Sequence, residues 1–239
     1  MHLPPWSPEI NFAFSQKLDG GMSFKREPLP DVLDNRRRFL KSNGHSLESV
    51  VAGELIHGSV IAIVREADKG RGASTGDWLP GVDGLVTDAA GILLLTTHAD
   101  CAPVVIYDDK HHVIGQAHAG WRGLRAGIIE NLARAVRSFN GSDNRDLKVW
   151  IGPTVGPCCY PVGAEVAAQF PAECSSLVAE TQRLDLVRFI KIELARIGCD
   201  PAGVSDSGVC TSCDKRFSSF RRDGMATKAM ALVTGLKPN

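Results

Sequence analysis

Residues 84–118 read GLVTDAAGILLLTTHADCAPVVIYDDKHHVIGQAH. Four runs rich in Val, Ile, Leu and Thr follow one another there, at 84–87, 92–97, 103–107 and 112–118, and each has strand length. No helical period separates them. Outward from this stretch, 49–64 reads as two strands interrupted near His57-Gly58, 147–151 as a buried strand ending in Gly-Pro, and 204–209 and 226–233 as late strands. Helices are expected at 30–43, where Val32 and Phe39, and Leu33 and Leu40, stand seven apart, with Asn43-Gly44 as the stop. A second helix, 123–139, carries Leu124, Ile128, Leu132 and Val136 at helical spacing. A short one is expected at 163–170, and another carries Val187, Ile190, Leu194 and Ile197, closed by Gly198. Strands outnumber helices and do not alternate regularly with them. The expected fold is therefore α+β with a mixed sheet rather than a doubly wound one.

The chain has 239 residues, 44% hydrophobic and 23% charged, with 27 basic against 27 acidic side chains. This length buries a full-sized core without staples, and neither the apolar content nor the net charge is that of a disordered chain. Balanced charge argues against a protein built to grip nucleic acid. The longest apolar runs are of strand length, far short of the roughly 20 residues of a membrane span. Met1-His-Leu-Pro-Pro-Trp-Ser-Pro lacks a basic segment followed by an apolar one, so a cytoplasmic address is expected. In that compartment the seven cysteines stay reduced, and their odd number suits thiols better than a disulfide framework. The Gly/Pro/Asp-rich stretch 68–83 is the clearest loop, mobile or lining a site, and 140–146 is a second break.

His57, Cys101 and His118 have the most suggestive settings. Each stands at the edge of an expected strand before a small or turn-forming residue: His57-Gly58, Cys101-Ala-Pro103 and His118-Ala-Gly120. Two imidazoles and a thiolate suit Zn²⁺, and three protein ligands leave one tetrahedral position open, the catalytic pattern. Such a site lowers the pKa of a bound water to about 7. The three lie far apart along the chain, so on spacing alone two hydrogen-bonded histidines and a core thiol are the readier reading.

The surrounding motifs occur in a fixed order. They are Gly20-Gly21-Met-Ser, Asn35-Arg36, Val82-Asp83-Gly-Leu-Val-Thr-Asp88, Thr97-His-Ala-Asp-Cys101-Ala-Pro-Val-Val, Gln116-Ala-His118-Ala-Gly-Trp-Arg-Gly123, Ile151-Gly-Pro-Thr-Val-Gly-Pro-Cys-Cys159 and Phe217-Ser-Ser-Phe-Arg-Arg-Asp-Gly224. Together they closely resemble the YfiH-like family, often labelled laccase domain or polyphenol oxidase. Its members have been reassigned as zinc-dependent purine nucleoside phosphorylases with adenosine deaminase and methylthioadenosine phosphorylase activity. The resemblance runs from about Gly20 to Val233. It implies a layered single domain over 1–239 with a mixed β-sheet core flanked by helices, 1–19 being a loosely attached arm. It also places the metal ligands, and the catalytic centre, on His57, Cys101 and His118, with zinc as the metal and copper as the other candidate. The implied partners are a small purine nucleoside and phosphate, with no nucleic acid or membrane, in a monomer or weak homo-oligomer. This chain departs from the pattern at Glu54-Leu55-Ile56-His57, where the family often has Asn-Gln-Val-His. It departs again at Tyr160-Pro161-Val162-Gly163, where Glu commonly replaces the proline.

Phosphorolysis needs a phosphate cradle, and the guanidiniums of Arg36, Arg122, Arg221 and Arg222 are the candidates, because paired N–H donors match an oxyanion. The turn Gly120-Trp-Arg-Gly123 ahead of a helix adds polarised amides. Arg221 and Arg222 read equally as a solvated face, and Arg36 to Arg38 read more readily as one, since they lie within an expected helix where only some side chains can face a site. Asp100, beside a ligand, is a candidate to orient a metal-bound histidine by accepting its second N–H. Trp121 stacks on a base or pins its helix. Cys210-Thr-Ser-Cys213 has no second pair at knuckle spacing, so it and Cys158-Cys159 read as structural thiols.

Three other functions can be set against the residue pattern. A multicopper oxidase needs about ten histidines, whereas this chain has seven and no His-x-His. A standard zinc nucleobase deaminase would show His-x-Glu, which is absent. A cysteine hydrolase with Cys101 as nucleophile and His118 as base, cleaving amides in cell-wall precursors, is the alternative.

Overall fold

Residues in 93–119 alternate between two apolar environments, and that period of two builds the layers. The computed structural model describes residues 1–239 except 26, 75, 140, 179, 180 and 239, and except the side chains of 177 and 178. Its strands are β1 (Ile10–Phe14), β2 (Val50–Ala52), β3 (Ile61–Ile63), β4 (Gly84–Thr87), β5 (Leu93–His98), β6 (Ala102–Asp108) and β7 (Val113–Ala119). After these come β8 (Lys148–Ile151), β9 (Pro161–Val162), β10 (Ser175–Val178), β11 (Thr181–Leu184), β12 (Val204–Asp206) and β13 (Met230–Leu236). The α-helices are α1 (Leu29–Ser42), α2 (Trp121–Arg125), α3 (Ile128–Arg137), α4 (Ala164–Ala167), α5 (Leu186–Arg196) and α6 (Phe220–Asp223).

A six-stranded sheet runs β12-β8-β6-β7-β4-β3 and a four-stranded sheet β1-β13-β5-β2. Both are mixed: β3–β4, β8–β12 and β2–β5 are parallel, the other pairings antiparallel. A small sheet, β10-β11-β9, stands apart. Along β6, Val104 and Ile106 face the core shared with α3 and α5, while Val105 and Tyr107 face the core between the two large sheets. Along β5, Leu94 joins that inter-sheet core, whereas Leu93 and Leu95 face Phe39 and Leu40 of α1. The order of layers is thus α1, four-stranded sheet, six-stranded sheet, then α3 with α5. Strands covered on both faces must be apolar on both, which is why 92–97 and 103–107 read as continuous hydrophobic runs.

The mixed-sheet α+β expectation holds, with two stacked sheets in place of one. The stretch 1–19, expected as a loose arm, instead supplies edge strand β1, paired from Ile10 opposite Leu236 to Phe14 opposite Leu232, with Trp6 and Ile10 buried between the sheets. The helix expected at 123–139 begins at Trp121 and breaks into α2 and α3. Gly127 adopts φ +84, a left-handed turn that ends one helix and starts the next. The late strand expected at 226–233 starts at Met230, after a 3₁₀ turn over Gly224–Ala226. The loop 68–83 is not loose where described: Gly70, Arg71 and Leu79 exchange backbone hydrogen bonds with Val50, Ala52 and Glu54 along β2. Residue 140, which opens the second expected break, lies outside the described residues.

Candidate metal centre

Antiparallel pairing of β6 with β7 sets Pro103 opposite His118 and Ala102 opposite Ala119, so Cys101 and His118 meet at one end of that hairpin. His57 reaches the same point from the loop joining β2 to β3, because β3 pairs with β4 and β4 with β7. One nitrogen of each imidazole and the Cys101 sulfur all lie within 4.8 Å of one another. The rings of His57 and His118 stand edge to face, with centroids 5.0 Å apart.

Each of the three is held by a different device. The buried carboxylate of Asp83 accepts the backbone N–H groups of Ile56, His57 and Gly58 at 3.2, 2.8 and 2.7 Å, curling that loop around one charge. His57 accordingly adopts φ +64, a left-handed conformation that costs about 1 kcal/mol or more for a non-glycine residue. The Asp83 carbonyl also accepts the His118 N–H at 2.8 Å, so one residue sets both histidines. Cys101 follows Asp100, whose φ is +90 and whose carbonyl accepts the Thr154 hydroxyl and the Val155 N–H. Beneath it, His98 donates from Nδ1 to the Cys101 carbonyl at 3.2 Å and accepts the Thr96 hydroxyl at Nε2. The Thr96 oxygen in turn accepts from Gln116.

His118 is the most informative of the three. Its Nδ1 lies 2.8 Å from the carbonyl of Thr97, and a carbonyl only accepts, so the proton is on Nδ1 and Nε2 carries a lone pair. That Nε2 is buried and has no hydrogen-bond partner. A buried polar atom without a partner costs about 1–3 kcal/mol. An imidazole with its far N–H on a backbone carbonyl and its near nitrogen bare has the arrangement of a metal ligand. The two glycines of the 118–123 motif have steric reasons here. A Cβ on Gly120 would stand 2.9 Å from the Cys101 sulfur and 3.2 Å from the His57 ring, and one on Gly123 would stand 2.6 Å from the Gly58 carbonyl.

Burial, then the neighbouring His57, pulls the His118 pKa down to about 4, and burial pulls His98 well below the usual imidazole value. Both rings are neutral when folded, whereas the unfolded chain takes up their protons near pH 6.5. The stability they lend is therefore complete above that pH and lost as pH falls toward 4. The metal-free chain is expected to lose on the order of 3 kcal/mol across this window from His118 alone. Urea melts at successive pH values check this, and a slope unchanged in His118→Asn would contradict it.

A cleft of about 280 Å³ opens over the centre, lined by Ser23, Lys25, Leu55, Thr97 and Met225 beside the three donors. Lys25 donates to the Leu55 carbonyl at 2.7 Å and places a cation on the wall. Within electrostatic reach of Cys101 through Tyr160, Arg221 lies over the Tyr160 ring at 5.1 Å, and Arg122 lies over Trp121 at 4.4 Å, so Trp121 here carries a guanidinium. Burial first, and then the Cys101 sulfur, push the Tyr160 hydroxyl up to about 12, with Arg221 and Arg122 pulling the other way.

Three expected roles are corrected. Arg36 is buried, and its guanidinium donates to the carbonyls of Met22, Gly72 and Ala73, so it pins loops rather than binding phosphate. Arg222 donates to the carbonyls of Thr211, Ser212 and Phe217 and to Asp223, which leaves its fork engaged. Asp100 does not orient a histidine: it accepts the Thr211 hydroxyl and the Arg221 N–H, both at 2.6 Å, while the Thr97 carbonyl takes the role expected of it. Asp83, His98, Lys25 and Tyr160 were not singled out from sequence. Asp83, His98 and Tyr160 each stand within a quoted stretch, which was a signal of place but not of role; Lys25 had none.

A sequence profile of the family described as "Multi-copper polyphenol oxidoreductase laccase" matches residues 14–237. This chain belongs to that family. Among its relatives, "Purine nucleoside phosphorylase YlmD" of Geobacillus stearothermophilus is 36% identical over 215 residues, covering 86% of this chain and 78% of that protein. The Bacillus subtilis protein of the same name is 29% identical over 222 residues, covering 87% and 78%. The crystal structure of the Geobacillus YlmD superposes with a TM-score of 0.93 over 98% of this chain and 94% of that one, at 32% identity. The Bacillus licheniformis hypothetical protein YfiH superposes equally well, at 28% identity and the same coverage. The laccase-family label does not bring a multicopper donor set with it. Among the described residues, the one cluster of potential metal ligands that contains histidine has two of them. No helix among the described residues is long and apolar enough to cross a membrane.

Proposed function

We propose that this laccase-family chain is a zinc-dependent purine nucleoside phosphorylase. The bare, buried Nε2 of His118, facing His57 and Cys101 at the floor of the cleft, carries the metal-centre reading. The names of the relatives carry the choice of reaction. His57, Cys101 and His118 would hold the ion, a donor set of two nitrogens and one sulfur suited to zinc, with copper the second candidate. When bound, the ion supplies Lewis acidity at the floor of the cleft.

The chain's own groups do the rest. Arg221 and Arg122 hold phosphate through paired N–H donors, and Lys25 adds charge from the cleft wall. Tyr160, protonated at neutral pH, donates a hydrogen bond rather than repelling an anion. A phosphate oxygen attacks the anomeric carbon. The C–O bond forms as the C–N bond breaks, and the departing purine nitrogen takes up a proton. Adenosine, inosine and methylthioadenosine are the proposed substrates, with hydrolytic loss of the adenosine amine as ammonia in the same cleft. A reducing compartment, the cytoplasm, suits seven cysteines that form no disulfide.

Incubation of the purified protein with adenosine, with and without phosphate, tests this reading. Adenine and ribose 1-phosphate are expected only with phosphate, inosine regardless of it, and all three are lost on chelation and regained with Zn²⁺. No purine product above a His118→Ala control would remove the nucleoside reading. Loss of activity to alkylation but not to chelation would favour the Cys101/His118 hydrolase.

A further inference from the structure

A second cluster of potential ligands, all sulfur, shares no residue with the His57/Cys101/His118 centre. Cys158 and Cys159 sit in the loop between β8 and β9, Cys210 and Cys213 in the turn between β12 and α6. The four Sγ atoms all lie within 4.8 Å of one another. Cys213 Sγ is 3.5 Å from that of Cys158 and 3.4 Å from that of Cys159, and none of the four is in a disulfide. Sulfurs at about 2.3 Å around a tetrahedral zinc stand roughly 3.8 Å apart, close to the spacing seen here. A disulfide needs about 2.05 Å instead.

The backbone is arranged for sulfur that bears charge. The N–H of Gly156 points at Cys210 Sγ at 3.2 Å, and the N–H of Cys213 also bonds that sulfur. Two amides on the first sulfur of a Cys-x-x-Cys turn favour a thiolate, because N–H donors stabilise the negative form. Four neutral thiols would have only weak S–H donors to offer one another. The two loops are stitched beside the cluster: Thr154 N–H donates to the Val209 carbonyl at 3.3 Å and Thr211 N–H to the Thr154 carbonyl at 3.0 Å. From sequence, Cys210 and Cys213 lacked a second pair at knuckle spacing. The fold supplies it from a distant loop.

We propose that Cys158, Cys159, Cys210 and Cys213 form a structural zinc site. Four protein ligands close the coordination sphere, so the ion has no open position and no part in turnover. Its role is to fasten the loop of Thr154 and Tyr160 to the loop of Thr211 and Arg221. Those loops grip Asp100 from both sides, through Thr154 on its carbonyl and Thr211 on its carboxylate, and Asp100 precedes Cys101. The inference does not depend on the nucleoside reading.

Metal analysis of the full chain, purified without chelator, decides it. The wild type is expected to hold two zinc ions, His57→Ala/His118→Ala one, and Cys210→Ser/Cys213→Ser one. Cobalt substitution of the His57→Ala/His118→Ala protein should give thiolate-to-cobalt charge-transfer bands, because the remaining ion has four sulfur ligands. The exposed Cys158 and Cys213 should resist iodoacetamide until zinc is stripped. This last readout uses the wild type, so the test survives if the cysteine variant does not fold. A His57→Ala/His118→Ala protein with no zinc, immediate alkylation of Cys158 and Cys213, or a disulfide among the four would each overturn the site.

Discussion

His118→Ala is expected to remove both the metal and nucleoside cleavage. Loss of an outer hydrogen-bond partner of a metal ligand costs roughly 10–100-fold in affinity or activity, and loss of the ligand itself should exceed that. His118 is the buried member of the trio and has its proton fixed on Nδ1 by Thr97, so no rotation of a neighbour replaces its lone pair. The metal-free stability should respond only weakly. Deleting the ring also deletes an unpaired buried nitrogen, so the metal-free variant should lose less than an ordinary large-to-small core substitution does. Metal content, kcat/KM and a urea melt of the stripped protein measure the three quantities. Retention of the metal with activity within a few-fold of wild type would end the argument for this centre.

Asp83→Ala should lower stability more than His118→Ala does. The substitution strands three backbone N–H groups around His57, each bound to a carboxylate in a fully buried position. At about 1–3 kcal/mol for each unpaired group, and allowing for water entering the space, the loss should be about 3–5 kcal/mol. His57 would lose the φ +64 conformation that presents its ring, and zinc affinity should fall roughly 10–100-fold. Asp83→Asn keeps one acceptor oxygen and should fall between the two. Denaturant melts and zinc titration against a competing chelator measure both effects. A change below 1 kcal/mol in Asp83→Ala, with affinity intact, would mean that the loop around His57 holds itself.

The two variants also show where a reading of residues reaches its limit. Asp83 and Asp100 are both aspartates within motifs, and nothing in their local sequence separates them. Asp100 looked like the partner of a ligand because it adjoins Cys101, yet its oxygens go to Thr211 and Arg221. The partner of His118 proved to be the backbone carbonyl of Thr97, an atom every residue carries and no motif marks. The arginines divide for a similar reason. A guanidinium has the same donors whether it meets phosphate or carbonyls. Arg36 and Arg222 meet carbonyls because the chain returns over them, while the guanidiniums of Arg122 and Arg221 lie over the rings of Trp121 and Tyr160.

Periodicity and donor type were legible along the chain itself. Strand runs, most helix boundaries and the α+β class depend on contacts within a few residues, and the donor chemistry of His57, Cys101 and His118 on side-chain type alone; a ligand role for the three was what the family resemblance implied. What lay beyond reach were the relations across the sheets: the capture of β1 by β13, the meeting of Cys158-Cys159 with Cys210 and Cys213, and the convergence of residues 57, 101 and 118 on one point. Those relations follow from strand order and register. Strand order and register arise when two apolar faces are buried together across long loops, and no short window of residues encodes that long-range choice.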